Sequence, residues 1–111
     1  TLMRAEINAL KDNADAALVD LNKIRTRANL LPYTSTIKEA LVTEIRHQRR
    51  IEMFGEGNRL HDLKRIGARP ESSTILIRTS PWNCPGMILQ IPNAEAAGNL
   101  DVQFNEQGGC E

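Results

Sequence analysis

Apolar residues recur at helical spacing in two stretches at the start of the chain. They predict a short first helix and a longer second helix from Ala14 to Ala28, separated by a polar break in which Asn13 caps the second helix. In the second stretch five apolar positions fall within about 80° of arc at 100° per residue, and three of the five are alanine. Small residues on a buried face let helices approach closely, as in antiparallel helix pairs and their repeats. The predicted buried positions are Leu2, Ala5, Ala9 and Leu10, then Ala14, Ala17, Leu21, Ile24 and Ala28.

A third helix is predicted after a turn that contains Pro32. Thr36 followed by Glu39 has the spacing of a capping box, and the helix is expected to run from there to about Phe54. Its apolar face is interrupted by polar side chains at i, i+4 and i+8, which need hydrogen-bonding partners on a core face. The apolar positions are Ile37, Ala40, Leu41, Ile45 and Ile51, the polar ones are Glu44, Gln48 and Glu52, and the expected partners are Arg25, Arg27 or Arg59.

Opposite charges alternate in the segment from Arg46 to Arg69. Asn58 and Gly67 have the residue types of a helix N-cap and a helix stop, so a short fourth helix is expected between them. An arginine side chain can bind a carboxylate through two hydrogen bonds, so alternating signs favour a locked corner between helices over a bare binding surface. The expected structural ion-pair network comprises Glu44, Glu52, Glu56, Arg59 and Asp62.

Helical periodicity is lost beyond Pro70. The runs from Thr74 to Thr79 and from Met87 to Pro92 each predict a short extended piece, too short for a substantial sheet. The rest of this segment cannot build its own core and must pack on the helices. The predicted fold class is therefore mainly α. Tetratricopeptide-like antiparallel helix pairs are expected in residues 1–67 and an irregular C-terminal cover in residues 68–111, as a single domain or as a fragment of a longer protein.

Charge and length narrow the classes of function. The 14 basic and 14 acidic residues balance, whereas phosphate-binding domains usually carry an unbalanced basic face, so no nucleic acid is expected as a partner. The charged residues beyond Pro70 are mostly acidic, and we expect this tail to fold over the basic middle of the chain. No run approaches the roughly 18 apolar residues of a membrane span. The sequence opens at Thr1 in a helical pattern without a signal peptide, so we expect a fragment, and the missing signal says nothing about where the parent protein resides.

The acidic, histidine and cysteine residues favour structural roles over catalysis or metal binding. Glu44 and Glu52 are eight residues apart, about 12 Å along a helix axis, whereas the two carboxyl groups of a glycosidase lie about 5–10 Å apart across a cleft. No nucleophile, base and orienting group can be assembled, so no enzyme is expected. The histidines and cysteines lack the short spacing of zinc ligands, and no metal or cofactor is expected; they are His47, His61, Cys84 and Cys110.

Three features of the sequence each allow two interpretations. Cys84 and Cys110 form either a disulfide that closes a loop or two unpaired thiols, and unpaired thiols are favoured. Trp82 either stacks on a sugar ring as a ligand-binding residue or anchors the tail, and anchoring is favoured. The basic residues form either an anion or lipid-headgroup surface or, as the alternating charges favour, a structural network with a solvated rim; they are Arg46, Arg49, Arg50, Lys64 and Arg65.

Three tracts occur in an order and spacing that resembles the C-terminal part of the SusD/RagB proteins, which are outer-membrane lipoproteins that capture glycans or other nutrients. The tracts are ALVDLNKIRTRANL (17–30), IRHQRRIEMFGEGNRLHDLKRIG (45–67) and ILQIPNAEAAGN (88–99). The middle tract matches best, at Arg49, Glu52, Glu56, Gly57, Arg59, Asp62, Leu63, Arg65 and Gly67. The chain departs from the family pattern at Gln48, Met53, Leu60, His61 and Leu100.

The resemblance implies a right-handed superhelix of tetratricopeptide-like helix pairs, of which this chain supplies the last pairs and the C-terminal cover. It also implies a surface-exposed protein, lipid-anchored to the outer membrane through an N-terminus outside this sequence. Such a protein acts as a loading lid on a TonB-dependent, SusC-like transporter and holds an oligosaccharide or other nutrient on aromatic platforms. This chain has one Trp, one Tyr and two Phe, so most of the ligand site is expected upstream.

A second functional hypothesis belongs to a different class. In this alternative the chain is a helical-repeat module that holds a protein or peptide on the concave face of its helix pairs. The two hypotheses overlap, because a nutrient-capturing protein also uses helices against its transporter.

Overall fold

The computed structural model describes residues 1–72, 74–89, 91–99, 101–105 and 109–110. The chain forms two compact units, Thr1–Gly57 and Asn58–Glu111. The first unit contains the helices α1 (Leu2–Leu10), α2 (Ala14–Arg27) and α3 (Lys38–Glu52). The second contains α4 (Arg59–Gly67), the short strands β1 (Leu76–Ile77) and β2 (Ser80–Pro81), α5 (Asn93–Gly98), and 3₁₀ turns at Pro70–Ser72 and Pro85–Met87.

The helices α1 and α2 form an antiparallel pair because only three residues connect them. Asp12 adopts a left-handed conformation with φ of 62° in this connection, and the Asn13 side chain accepts a hydrogen bond from the Ala16 N–H at 3.4 Å. The predicted cap of the second helix is therefore present. Ala5, Ala9 and Ala17 are all essentially buried, so alanine lines the contact between the helices, as the pattern predicts.

The third helix covers one side of this pair and completes the core of the first unit. The core comprises Leu2, Ala5, Ala9, Ala17, Leu21, Leu41, Val42 and Ile45, with Leu10, Ala14, Leu18, Ile24 and Tyr33 packed around it. Burying each Leu, Val or Ile side chain away from water stabilises the fold by on the order of 1.5–3 kcal/mol. This burial holds the three helices together.

The predicted start, end and buried face of α3 are wrong in detail. The N-cap residue is Ile37, which has no side-chain acceptor, so the expected capping box of Thr36 and Glu39 does not start the helix. Ile37 and Ile51 are 65% and 53% exposed, whereas Val42, which was not predicted as a core position, is buried. The helix is rotated about its axis relative to the prediction, because its large side chains must pack on the alanine face of α1 and α2. This requirement depends on tertiary packing and cannot be read from the spacing within α3.

The chain leaves α3 two residues earlier than the sequence predicts. The helix ends at Glu52, and Gly55 and Gly57 follow with φ of 81° and 72°. A side chain at either position would strain the backbone, so the two glycines allow this turn.

The second unit has one helix of more than two turns, α4, and a two-stranded antiparallel sheet. The helix spans the predicted segment, with Asn58 at its N-cap position and Gly67 as its last residue, although no side-chain hydrogen bond caps it. In the sheet Leu76 pairs with Pro81 and Ile77 with Ser80. The second predicted extended piece is wrong at its start, because Pro85–Met87 forms a 3₁₀ turn.

The fold-class prediction is confirmed. The protein is mainly helical, and the strands among its described residues are the two short ones beyond α4, β1 and β2. No helix in the described ranges combines the length and the apolar character that crossing a membrane requires.

Candidate functional site

Arg25, near the end of α2, joins three parts of the first unit. Its Nη1 atom donates to Oε1 of Glu44 in α3, and its Nε atom donates to the carbonyl oxygen of Leu31 at 2.9 Å. The guanidinium carbon also lies 5.9 Å from the centre of the Tyr33 ring. A planar group with five donors suits this position, because it bonds in several directions at once.

The polar row on α3 faces α2, and each of its three members has a hydrogen-bonding partner. Gln48 is buried, and its Nε2 atom donates to Oε1 of Glu44 at 3.0 Å. Glu52, one turn further along, accepts a hydrogen bond from Nη2 of Arg27. Of the three arginines expected as partners for this row, Arg25 and Arg27 therefore bind its acids. These acids act as structural links between helices.

Two further ion pairs of the first unit, each with a buried acid, were missed from the sequence. Arg4 of α1 binds Asp20 of α2 through two hydrogen bonds, of 2.6 Å and 2.7 Å, and Nε of Arg46 donates to Glu6 at 2.8 Å. Both acids are buried, at 2% and 1% exposure. The signal was present, since Glu6 lies one turn from Leu2 on the same apolar face.

The pair of Arg4 and Asp20 changes the titration of both groups. Hydrogen bonds from Arg4 hold the pKa of Asp20 below its ordinary value against the opposing effect of burial. The same bonds raise the pKa of the Arg4 guanidinium. Both charged forms are favoured, as expected for a bidentate pair.

The other members of the expected ion-pair network differ in exposure, and the Asp62 side chain is only 13% exposed. Glu56 and Arg59 are both exposed, and Asp62 lies 3.5 Å from Arg65 one turn further along α4. Arg59 forms no ion pair with another residue in the part of the chain that the structure describes. The expected role of Arg59 as a structural partner is therefore not seen.

Trp82 packs against the end of α4. A Cβ atom added to Gly67 would lie 2.4 Å from Cγ of Trp82, so the indole ring occupies space that only glycine leaves open. The ring is half-buried. Such packing is what the anchoring interpretation predicts, and that interpretation stays a prediction.

Cys84 and Cys110 are joined by a disulfide in the structure, with Cα atoms 5.3 Å apart. The bridge spans 26 residues of sequence, and Cys84 is buried. The hydroxyl of Ser80 donates to the carbonyl oxygen of Cys110 at 3.3 Å, so β2 also contacts the end of the chain.

Side-chain hydrogen bonds to backbone oxygens attach other parts of the irregular segment. Nζ of Lys64 in α4 donates to the carbonyl oxygen of Met87 at 2.6 Å. Nδ2 of Asn105 donates to the carbonyl oxygen of Leu89 at 2.9 Å. In this segment side-chain donors therefore satisfy backbone carbonyl oxygens that backbone N–H groups would satisfy in a helix or a sheet.

The side of α3 that faces away from the core carries a shallow depression of about 350 Å³. His47, Arg50, Ile51 and Phe54 line it. We call these four residues the outer face of α3. Across the described residues, no group of three or more His, Cys, Asp or Glu side chains is arranged to hold a metal ion.

Comparison with known families gives one result. The model of the SusD family matches residues 1–109, almost the full length of the chain. No curated protein and no solved structure matches the chain significantly.

Proposed function

The chain belongs to the SusD family, and we propose that it is the C-terminal portion of an outer-membrane lipoprotein that captures a glycan or another nutrient. In this proposal the whole protein is anchored by lipid at its N-terminus and exposed at the cell surface. It delivers its ligand to a TonB-dependent, SusC-like transporter and makes or breaks no covalent bond. The observation that carries the proposal is the family match across residues 1–109.

The proposed role of this segment is to hold the helical frame and its C-terminal cover in position. Ion pairs link α1, α2 and α3, which supports this role because separating the helices would leave buried charges without partners. Trp82 is proposed to anchor the cover, since its ring packs where Gly67 has no side chain. Most of the ligand-binding surface is proposed to lie upstream of Thr1.

Calorimetry on the full-length parent protein tests nutrient capture. Titration with a panel of oligosaccharides is expected to give saturable heat with at least one glycan class, and a Trp82→Phe variant is expected to keep the affinity. A silent panel, together with an intact fold, contradicts glycan capture. A more than tenfold loss in the Trp82→Phe variant would instead assign that ring to the ligand site.

Localisation has a separate test. Mass spectrometry of the mature parent protein is expected to find a lipid-modified cysteine at its N-terminus. An unmodified N-terminus on a protein that stays in the soluble fraction contradicts the lipoprotein part of the proposal. Co-purification with a TonB-dependent transporter from solubilised outer membranes tests the delivery step.

The alternative function is a helical-repeat module that binds a protein or peptide. The alanine-lined antiparallel pair of α1 and α2 favours it, because small residues at helix contacts are typical of such repeats. Stable capture of a protein partner by a parent protein that binds no glycan would select this alternative.

A further inference from the structure

The outer face of α3 has the spacing of a helix-docking surface. His47, Arg50, Ile51 and Phe54 stand at i, i+3, i+4 and i+7, with Phe54 in the turn just after the helix. This spacing places the side chains on one side of the helix, with Arg50 directly opposite the buried Leu41. The grouping surrounds a depression, so it is a shaped surface and differs from a scatter of single exposed residues.

The apolar part of this surface is open to solvent. Phe54 is 88% exposed and Ile51 is 53% exposed. Single exposed apolar side chains are normal on protein surfaces. Here an aromatic ring and a branched aliphatic chain border the same hollow of about 350 Å³, which is at the lower end of the volumes usual for binding pockets. An apolar side chain of a partner fits such a hollow.

The outer face carries positive charge because two acids of α3 lie on the side of the helix that faces α2. Glu44 and Glu52 are paired with arginines of α2. Arg50 is exposed and has no ion pair with any residue in the described ranges, and the neighbouring His47 is also exposed. The exposed acid of the first turn of α3, Glu39, lies eleven residues before Arg50, about 16 Å along the axis. Arg50 therefore brings to the outer face one positive charge that no ion pair among the described residues neutralises.

We propose that the outer face of α3 docks an acidic amphipathic helix of another polypeptide. A carboxylate of that helix pairs with Arg50 and accepts two hydrogen bonds from its guanidinium group. An apolar side chain one turn away enters the depression between Ile51 and Phe54. Aromatic and arginine side chains dominate the energetics of protein interfaces, and this surface presents one of each beside a hollow. The proposal goes beyond nutrient capture and does not depend on it.

A selection experiment with a defined peptide library tests this docking. The probe is a displayed library of 15-residue helical peptides in which four positions, i, i+3, i+4 and i+7, vary among Glu, Gln, Lys, Leu, Phe and Ala. The full-length parent protein is the target, and the affinity of enriched peptides is measured by fluorescence anisotropy. Enrichment of Glu next to Leu or Phe at helical spacing is expected.

Two pairs of matched variants locate the binding surface. Arg50→Gln and Phe54→Ala are each expected to weaken binding at least about tenfold. The controls Lys11→Gln and Leu31→Ala change an exposed cation and an apolar side chain with 84% exposure elsewhere in the first unit. They are expected to leave binding unchanged. Because all four side chains lie outside the core cluster, circular dichroism is expected to show an intact fold in each variant.

Salt and self-association complete the test. Raising the salt concentration is expected to weaken peptide binding to the wild-type chain and to have little effect on the Arg50→Gln variant. A library without enrichment, an enriched pool without acidic residues, or equal losses in the control variants would overturn the proposal. Self-association of the chain that Phe54→Ala abolishes in sedimentation would also overturn it, by assigning the face to contacts between copies.

Discussion

Replacing Arg25 by alanine removes a side chain of α2 that bonds both to α3 and to the segment between the two helices. The variant loses the ion pair with Glu44, the hydrogen bond to the Leu31 carbonyl, and the contact with the Tyr33 ring. Arg25 and Glu44 are only 16% and 19% exposed, so water replaces the guanidinium incompletely. The carboxylate keeps its hydrogen bond from Gln48, which limits the cost.

The expected loss of stability follows from these contacts. Hydrogen bonds to charged groups contribute about 1.5–3 kcal/mol each, and removing one partner of a fully buried ion pair costs about 3–5 kcal/mol. Partial exposure and the remaining amide donor reduce both figures. We therefore expect Arg25→Ala to lower the free energy of unfolding by about 2–4 kcal/mol.

Urea unfolding followed by far-ultraviolet circular dichroism measures this loss. With an m-value of roughly 2 kcal/mol per molar urea, the midpoint is expected to fall by about 1–2 M. Arg59→Ala is the matched control, since it also deletes an arginine but from an exposed position. Its expected effect is below about 0.5 kcal/mol.

A double-mutant cycle separates the ion pair from the other contacts. Glu44→Gln is combined with Arg25→Ala, and a coupling free energy of about 1 kcal/mol or more is expected for two groups in direct contact. If Arg25→Ala is no more destabilising than Arg59→Ala, or if the coupling is zero within error, the arginine does not connect the helices and the argument fails.

Three further predictions concern other contacts. Asp20 contributes stability that is present above its unfolded-state pKa of about 3.9 and is lost as the pH falls through its lower folded-state pKa; Asp20→Asn is therefore expected to flatten the plot of urea midpoint against pH below pH 4, and parallel plots would contradict this. Gly67→Ala places a Cβ atom 2.4 Å from Trp82, so a loss of about 1–3 kcal/mol and altered fluorescence of the single tryptophan are expected. In Gly98→Ala the added atom meets nothing within 4 Å, and no comparable loss is expected. Cys84→Ser opens a bridge that spans 26 residues, which the loop-entropy relation values at about 3.5 kcal/mol, so the Tm is expected to fall; an unchanged Tm would show that the bridge adds nothing.

The helices of the first unit were accessible from the sequence because their signals are local. The spacing of Ala17 and Leu21, the cap at Asn13 and the polar break before it are properties of neighbouring residues. The short fourth helix was found for the same reason. Polar residues on the face of the third helix also predicted partners at the end of the second.

Several features were decided only by packing between distant residues. The rotation of α3, which buries Val42 and exposes Ile37, depends on the shape of the surface that α1 and α2 present. Which arginine meets Glu44 was open in the sequence, because Arg25 and Arg59 have the same side chain. The structure selects Arg25, which also has a backbone oxygen and a ring within reach.

The sequence by itself determined the helical class, the positions of the main helices and the resemblance to the SusD/RagB family, since each depends on residue types at short or ordered spacing. Only the tertiary structure decided which acids are buried, that Trp82 packs on Gly67, and that the outer face of α3 stays uncovered within the first unit. The physical reason is that helix propensity and periodicity depend on residues close together in the sequence. Burial depends on which residues from distant parts of the chain pack against a side chain.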